Sequence, residues 1–257
     1  MNFQLAVIAL LLLIAMLLII LWLQSKKQNT AIAALGDRLQ TQVQSETHGV
    51  FAQLEAYLSL RDRLGLHQGL PYSRNWSAAP DFLKLIAEHA LAVKPTTIVE
   101  CSSGLTSLIL ARCCEMNDQG DVFSLENGAE YAAGTRTELA RYQLENYATV
   151  IDAPLTPHRL DDREYQWYAL DNLPDRRIDM LVIDGPPGFI QRHSRYPALP
   201  LLFDKLADGC VVFMDDAARP DEREIVEMWR TAFPGIEHEY INLERGCSML
   251  RIHRDKP

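Results

Sequence analysis

The chain of 257 residues is long enough for one α/β domain and an appendage, and its 48% hydrophobic content can supply a sizeable core. Its formal charge of −9, with no lysine-rich block to offset it, argues against a nucleic-acid partner. The five cysteines show no CxxC spacing, which argues against a disulfide framework or zinc site and favours reduced thiols in the cytosol.

The chain opens with a segment typical of a membrane anchor. Residues 3–23 are uncharged and apolar, and about 20 such residues cross the hydrocarbon layer as a helix. A cleaved signal peptide would have a basic start, a shorter apolar core and a small-residue cleavage site. Because Lys26 and Lys27 follow directly, with Arg38 further on, the positive-inside rule predicts a cytoplasmic C-terminal body. We expect residues 1–27 to anchor a single-pass protein in the cytoplasmic membrane.

Residues 28–68 are predicted to form an amphipathic helical stalk. Their apolar residues recur at intervals of three, four and seven. Such a stripe could pair with a second copy as a short coiled coil, giving a homodimer, or fold back on the domain. Thr47 interrupts the register, and Gly36 and Gly49 weaken the helix. The stripe comprises Ile32, Leu35, Leu39, Val43, Val50, Leu54 and Leu58.

Residues 69–257 are predicted to form a doubly wound, mainly parallel α/β domain with a seven-stranded sheet. Asp81 is expected to cap a first helix over 82–93, and strand-like and helix-like segments then alternate. The last two strands, separated by residues 243–246, read as an antiparallel hairpin. Strands are expected at 97–100, 122–125, 149–152, 180–183, 211–214, 237–242 and 247–253, with helices at 105–114, 131–146, 198–206 and 221–233.

The first strand leads into a turn of small residues, Cys101-Ser102-Ser103-Gly104, and then into an apolar helix. Small residues let the backbone approach a ligand closely, although a plain strand-to-helix connection is the alternative. Glu100 ends the strand; it would repel a pyrophosphate and suit a cationic ligand. The turn has one glycine where the dinucleotide pattern GxGxxG has three, so an NAD-dependent oxidoreductase is the least favoured function.

Acidic residues end five of the predicted strands. Because the carboxyl ends of parallel strands share one edge of a sheet, these acids are expected to converge on one crevice. Glu126 follows Glu100 at the interval of a ribose-binding acid, and Asp152 is a candidate partner for an adenine amino group. Each acid could alternatively be a helix cap or a surface turn residue. The set is Glu100, Glu126, Asp152, Asp184, Asp215 and Asp216.

Several segments then follow one another in a specific order: VECSSG, VFSLE, TVIDAPL, IDMLVIDGPPG, RYPALP and VVFMDDA. In this order they resemble the class I S-adenosylmethionine-dependent methyltransferases, particularly the bacterial branch with an IDGPP motif. The resemblance covers about residues 70–252, includes the upstream NWSAAPDFL segment, and implies a Rossmann-like fold with S-adenosylmethionine as methyl donor.

The resemblance also implies roles for individual residues. Glu126 would hold the donor ribose, and Asp184 would lie beside the transferred methyl group. Ser102 departs from the family, which usually has glycine there. The methionine part of the donor would be held by Glu100, Ser102, Ser103 and Gly104.

Methyl transfer from a sulfonium is an in-line displacement, so an enzyme positions the nucleophile and helps to remove the proton of a hydroxyl. Asp184 is the candidate base, with His193 as the alternative. Asp184, Asp215 and Asp216 are similar in placement to the metal ligands of catechol O-methyltransferase-like enzymes, with Asp216 replacing an asparagine. Three oxygen donors would suit Mg²⁺, which lowers the pKa of a bound hydroxyl. Without a metal, the aspartate pair could cap the next loop.

Residues 185–200 are rich in proline and are predicted to cover the crevice as a loop. Arg192, His193, Arg195 and Tyr196 would give this loop a basic, aromatic face for an acidic substrate, such as a phosphorylated or carboxylated sugar. In the alternative interpretation the loop is solvated and Arg195 pairs with a carboxylate of the domain.

Together these features predict a membrane-anchored cytoplasmic methyltransferase that acts on an oxygen of a small-molecule, sugar or lipid-linked acceptor. The alternative is a non-catalytic membrane scaffold or a nucleoside-sensing methyltransferase-like domain whose stalk carries the partner contacts. Trp76, Trp167 and Trp229 are expected to pack inside the domain rather than to stack on an acceptor.

Overall fold

The computed structural model describes residues 3–67, 69–70 and 77–254, so the prediction for Trp76 lies outside the described residues. The chain divides into two compact units, Met1–Phe51 and Ala52–Pro257. The predicted anchor and stalk lie in one continuous helix, α1 (Phe3–Arg63). This helix is long and apolar enough to cross a membrane, with a mean hydropathy of 3.3 in its most apolar window.

Helix α1 continues through the positions that were expected to weaken it. The Thr47 hydroxyl donates a hydrogen bond to the carbonyl of Val43 at 2.7 Å, so the polar side chain is satisfied along the helix itself. Gly36 and Gly49 are also helical. The predicted helix is therefore confirmed, and a single glycine costs too little to end a helix of this length.

The last turns of α1 belong to the second unit. Residues 52–66 were expected in the stalk, but Leu60 and Leu64 are at most 1% exposed and pack in the core with Phe82. Removing two leucine side chains from water stabilises this arrangement by about 1.5–3 kcal/mol each. The last turns of α1 therefore contribute to the domain core through residues outside the predicted stripe, whose Leu54 and Leu58 are 49% and 39% exposed.

Helix α2 (Pro80–Val93) corresponds to the first predicted helix, but Asp81 is not its N-cap. Ala79 occupies that position, and Asp81 lies in the first turn, where Oδ1 accepts the Phe82 N–H at 2.8 Å. The carboxylate still satisfies a free N–H group and still lies near the positive end of the helix dipole. The sequence therefore identified the correct helix start, but the predicted cap lies two residues after the actual N-cap.

The domain contains the predicted seven-stranded sheet, in the order β3-β2-β1-β6-β7-β9-β8. The first five of these strands are parallel, and β8 and β9 form the predicted hairpin, with β9 pairing antiparallel to β7. The strands are β1 (Thr97–Cys101), β2 (Asp121–Glu126), β3 (Ala148–Asp152), β4 (Leu155–Leu160), β5 (Arg163–Tyr168), β6 (Ile178–Ile183), β7 (Leu206–Met214), β8 (Glu237–Ile241) and β9 (Cys247–Arg251). The remaining helices are α3 (Leu105–Asn117), α4 (Ala129–Arg141), α5 (Ala198–Leu202) and α6 (Pro220–Ala232).

Helices cover both faces of this sheet, as a doubly wound fold requires. Alternate strand residues face opposite layers, so Ile98 packs with α2, α3 and α4, whereas Val99 packs with α5, α6 and the β4–β5 hairpin. Trp167 and Trp229 are 0% exposed, which confirms their predicted packing role. All five cysteines are free and buried, in agreement with the predicted reduced thiols.

The antiparallel β4–β5 hairpin is a separate two-stranded sheet that the sequence analysis missed. Its two-residue connection is Asp161-Asp162, with Asp161 at φ 52°. Aspartate tolerates this left-handed conformation, and alternating polar and aromatic residues flank the connection. This pattern could have predicted the hairpin, although the connection lacks the glycine that two-residue hairpin turns usually contain.

Candidate functional site

The small-residue turn, Cys101–Gly104, connects β1 to α3 at the carboxyl edge of the sheet. Ser102 has φ 119° and Gly104 has φ 143°, both in the region that favours glycine. The Ser102 N–H donates to the carbonyl of Leu125 at 2.9 Å, which joins the turn to the end of β2. The resemblance implies a glycine at this position, and Ser102 adopts the positive φ angle that a glycine would have. This conformation strains the backbone at Ser102.

Glu100 lies beneath this turn and is fully buried. Its carboxylate accepts hydrogen bonds from the hydroxyls of Ser107 at 2.6 Å and Ser124 at 2.7 Å, and also from Thr106. Burial raises the pKa of Glu100 to about 7, although these three hydrogen bonds lower it. These contacts tie β1 to β2 and to the start of α3, and a direct contact between Glu100 and a ligand stays a prediction.

Glu126 and Asp152 end two neighbouring strands and are paired in register. Glu126 is 8% exposed; Oε2 accepts the Ser103 hydroxyl at 2.9 Å and Oε1 accepts the Gly128 N–H at 2.8 Å. Asp152 is exposed and forms an ion pair with Arg136 at 2.8 Å. The structure therefore brings the turn, Glu126 and Asp152 to one edge of the sheet, with Glu126 held in a fixed orientation.

Asp184 follows β6 and stands next to the turn. Its N–H donates to the carbonyl of Cys101 at 3.1 Å, and its side chain lines a cavity of about 540 Å³, called here the Asp184 cavity. Asp184 thus lies between the turn at the end of β1 and a space large enough for a small molecule. The other lining residues are Pro187, Gly188, Arg195, Asp216, Arg219 and Arg245.

The structure brings together the three predicted metal ligands, Asp184, Asp215 and Asp216. One oxygen of each lies within 4.8 Å of the others. A buried guanidinium is among them: Nη2 of Arg195 lies 3.3 Å from Asp184 Oδ1 and 2.8 Å from Asp216 Oδ2. Arg219 adds a second donor to Asp216 at 2.9 Å.

These contacts decide how well the cluster suits Mg²⁺. A magnesium ion needs near-ideal octahedral geometry and usually keeps several waters. Two of the three carboxylates already accept N–H groups from Arg195, while Asp215 keeps an oxygen, Oδ2, without a partner among the described residues. The acids therefore meet as predicted, but they surround an arginine, and this arrangement does not fit an open magnesium site.

The charges in this cluster are strongly perturbed. Burial and then the neighbouring Asp215 raise the pKa of Asp184 well above its ordinary value, while Arg195 lowers it. Burial and then Asp216 raise the pKa of Asp215 to about 6. Burial would lower the pKa of Arg195, but Asp184, Asp216 and the buried Glu222 raise it above its ordinary value. The arginine is therefore charged, and the raised pKa values of Asp184 and Asp215 mean that these two carboxyls hold protons more tightly than in water.

His193 lies in a different place from Asp184. Its Nε2 is 2.8 Å from Glu224 Oε2, and its backbone N–H donates to Asp221 at 2.7 Å. It lines a second cavity of about 430 Å³ together with Tyr165 and other residues. This position does not favour His193 as an alternative base for chemistry in the Asp184 cavity.

The predicted loop, residues 185–200, is largely free of regular structure but does not present a basic, aromatic face. His193, Arg195 and Tyr196 are each at most 6% exposed, and only Arg192 of the four predicted residues is exposed. The alternative interpretation, in which Arg195 pairs with domain carboxylates, is the one observed. Buried carboxylates at the strand ends attract this side chain inward, since they would otherwise be uncompensated.

Other residues of this region were not anticipated. Arg219 and Arg245 line the Asp184 cavity from the β7–α6 and β8–β9 connections, and Glu222 lies buried in the first turn of α6. Arg219 could have been found because it follows the Asp215-Asp216 pair within four residues. Arg245 had no local signal, since only the return of β9 to β7 brings its turn to this edge.

Comparisons with known proteins agree with the fold described above. Residues 99–217 match the family model described as "Methyltransferase domain". Among curated proteins, none matches the sequence significantly. An O-methyltransferase from Bacillus cereus in complex with SAH is similar in structure, with a TM-score of 0.53 and 15% identity over 77% of this chain and 90% of that chain.

Two further solved structures have the same fold. Cofactor-bound Rv0187 from MTB has a TM-score of 0.53 and 19% identity over 79% of this chain and 91% of its own. The O-methyltransferase TomG from Streptomyces achromogenes, in complex with SAM, has a TM-score of 0.53 and 15% identity over 80% of this chain and 96% of its own. At these identities the likeness concerns the fold.

Proposed function

We propose that this chain is an enzyme that transfers a methyl group from S-adenosylmethionine to an oxygen nucleophile. The match of residues 99–217 to a methyltransferase-domain model and the fold shared with solved O-methyltransferases support this proposal. Two of the similar structures contain SAH or SAM, which supports this donor. S-Adenosylmethionine, when bound, supplies an electrophilic methyl group on a sulfonium.

The residues at the carboxyl edge of the sheet suit this donor. The turn of Ser102, Ser103 and Gly104 is half-buried at this edge, where the methionine part would lie. Glu126, held by Ser103 and Gly128, is oriented to accept hydrogen bonds from ribose hydroxyls. Asp152, beside Glu126 in the sheet, would receive the adenine amino group.

One observation supports the proposed chemistry: Asp184 lies between the Cys101–Gly104 turn and the Asp184 cavity. Its N–H bonds to Cys101 of the turn, while its carboxylate lines the cavity. An acceptor hydroxyl in the cavity would therefore lie within reach of both a base and the donor methyl group. We assign to Asp184 the role of orienting this hydroxyl and accepting its proton as transfer proceeds.

The cavity lining also supports a class of acceptor. Arg219 and Arg245 contribute guanidinium groups at its wall, beside Asp184. Guanidinium groups recognise phosphate and carboxylate groups well. An acceptor with both a hydroxyl and an anionic group, either a small molecule or a lipid-linked sugar, would suit this lining.

The anchor places this activity at a membrane in our proposal. Residues 1–27 would span the cytoplasmic membrane once, and the part of α1 that follows would form the stalk. The rest of the chain, including the buried last turns of α1, would form the catalytic domain in the cytoplasm. Lys26 and Lys27 after the apolar run support this orientation, and five free cysteines suit the cytosol. An acceptor at the inner leaflet would then be within reach.

Calorimetry of the full chain in detergent micelles with S-adenosylhomocysteine tests the proposed donor. We expect saturable binding at one site and none with NADH. The proposal would be contradicted if S-adenosylhomocysteine did not bind at high protein concentration, or if NADH bound instead.

Turnover separates an enzyme from a non-catalytic scaffold. With radiolabelled donor and extracts of membrane lipids or water-soluble metabolites, label should enter one of the extracts. Asp184→Asn should keep S-adenosylhomocysteine binding and lose transfer, while Asp171→Asn, an exposed control, should change neither. If Asp184→Asn binds S-adenosylhomocysteine and transfers methyl groups as fast as the wild type, the proposed role of Asp184 is wrong.

A further inference from the structure

We propose that the buried guanidinium of Arg195 is the resident cation of the carboxylate cluster at the Asp184 cavity and takes the place of a divalent metal ion. The cluster would then hold its charge and shape without a metal. The assignment of Arg195 as the cation rests on geometry alone. Its role in catalysis rests on the proposed function.

The contacts of Arg195 join the ends of two neighbouring strands. Nη2 donates to Asp216 Oδ2 at 2.8 Å, to Asp184 Oδ1 at 3.3 Å and to the Asp184 carbonyl at 3.1 Å. Nη1 donates to the Asp215 carbonyl at 2.7 Å. A planar guanidinium can make these bonds in several directions at once, so one side chain links both acid-bearing loops as a metal ion would.

The cluster is nearly closed to solvent. The side chain of Arg195 is 3% exposed, and those of Asp184 and Asp216 are 13% and 5% exposed. Glu222 lies on the other side, with Oε1 at 3.9 Å from Arg195 Nε. Charges in such surroundings are weakly screened, so one buried cation among several carboxylates is strongly retained.

The backbone around Arg195 is fixed independently of these ion pairs. The Ser194 hydroxyl donates to the Pro186 carbonyl at 3.0 Å, and Trp229 Nε1 donates to the Tyr196 carbonyl at 2.9 Å. The His193 N–H is held by Asp221. Residues on both sides of Arg195 are therefore anchored to α6, and Ser194 is anchored to the start of its own loop, so the guanidinium is pre-organised at the cluster.

A divalent ion on the same oxygens would lie close to this guanidinium. Like charges repel strongly where the effective dielectric constant is low, and the ion would have to displace N–H donors from Asp184 and Asp216. Arg195 therefore excludes the ion as well as replacing it. In the proposed reaction it is a positioning residue, which orients Asp184 and balances the charge of the cluster.

Binding of Mn²⁺ alone, followed by electron paramagnetic resonance on the full chain in micelles, tests this inference. We expect no saturable binding to the wild type or to Arg195→Lys, which keeps the charge. Arg195→Gln should gain one site with at least about tenfold higher affinity, because the carboxylates lose their cation. Arg163→Gln, an exposed arginine at the start of β5, is the control and should behave as the wild type.

Saturable Mn²⁺ binding by the wild type that is lost in Asp216→Asn would overturn the inference, because the ion would then bind at this cluster. A folded Arg195→Gln chain with no gain in Mn²⁺ affinity would overturn it as well. If Arg195→Gln does not fold, the wild type and Arg195→Lys still test the inference, because it requires that neither binds Mn²⁺ at this cluster. S-Adenosylhomocysteine binding, measured on the same samples, reports separately on the proposed function.

Discussion

Ser103 and Glu126 are joined by a hydrogen bond of 2.9 Å from the serine hydroxyl to Oε2, across the space between the ends of β1 and β2. The bond orients the carboxylate at the edge where parallel-sheet proteins bind nucleotides. The two residues lie 23 positions apart in the chain, so the sheet rather than the local sequence sets this relationship.

The first prediction concerns Glu126. Glu126→Ala should raise the dissociation constant of S-adenosylhomocysteine about 100-fold, because each hydrogen bond to a charged group contributes about 1.5–3 kcal/mol. Calorimetry on the full chain measures this change. Glu130→Ala, on the exposed first turn of α4, is the control and should leave the affinity unchanged. If both variants bind S-adenosylhomocysteine with the same affinity, Glu126 does not contribute to donor binding.

The second prediction concerns Gly185, which packs against Ser102 of the turn. A methyl group at Gly185 would meet the Tyr168 hydroxyl and lie 3.2 Å from Ser102 Cβ and 3.3 Å from the Cys101 carbonyl. Gly185→Ala should therefore lower the free energy of unfolding by about 1–3 kcal/mol through overpacking. Chemical denaturation measures the loss.

Two further variants test the cause of that loss. Gly188→Ala is the control, since a methyl group there would meet nothing within 4 Å. Adding Tyr168→Phe to Gly185→Ala removes the nearest atom and should recover part of the stability. A double variant no more stable than Gly185→Ala would show that Tyr168 is not the obstacle.

The third prediction concerns the pH dependence of stability through Glu100. Burial raises its pKa from 4.5 to about 7 in the folded domain. Between these values the folded chain keeps a proton that the unfolded chain releases, so the stabilisation is fully present below pH 4.5 and is lost as the pH rises through 7. The loss is roughly 3 kcal/mol of unfolding free energy.

Urea denaturation at acidic and at mildly alkaline pH measures this effect in the wild type and in Glu100→Gln. The amide stays neutral, so the variant should lose much of the difference between the two conditions. Glu130→Gln, an exposed control, should keep it. An unchanged difference in Glu100→Gln would mean that Glu100 is ionised at both pH values or protonated at both.

The fourth prediction concerns the end of α1. Leu60→Ala should destabilise the domain by about 2–5 kcal/mol, because Leu60 is 1% exposed within the core. Leu39→Ala, on the same helix but 53% exposed, should leave domain stability within about 0.5 kcal/mol of the wild type. Unfolding of the full chain in micelles measures both. Similar small losses would show that the last turns of α1 do not support the domain.

Much of the architecture follows from the sequence alone. Period-two and period-3.6 patterns are local, so the parallel strands, the helices and the final hairpin could be predicted within a few residues. The carboxyl ends of parallel strands must share an edge, so the meeting of Glu126, Asp152 and Asp184 at one side of the sheet followed from strand order. The apolar run of residues 3–23 needed only composition.

The tertiary structure decided which partner each charged group takes. Glu100 was expected beside a ligand, yet three hydroxyls from α3 and β2 enclose it. Arg195 was expected on a solvent-facing loop or beside a carboxylate, and only the packing of residues 185–197 under α6 selects the second place. Such choices depend on contacts between side chains of different strands, helices and loops. Burial makes an uncompensated charge costly there, and no local pattern records which partner is near.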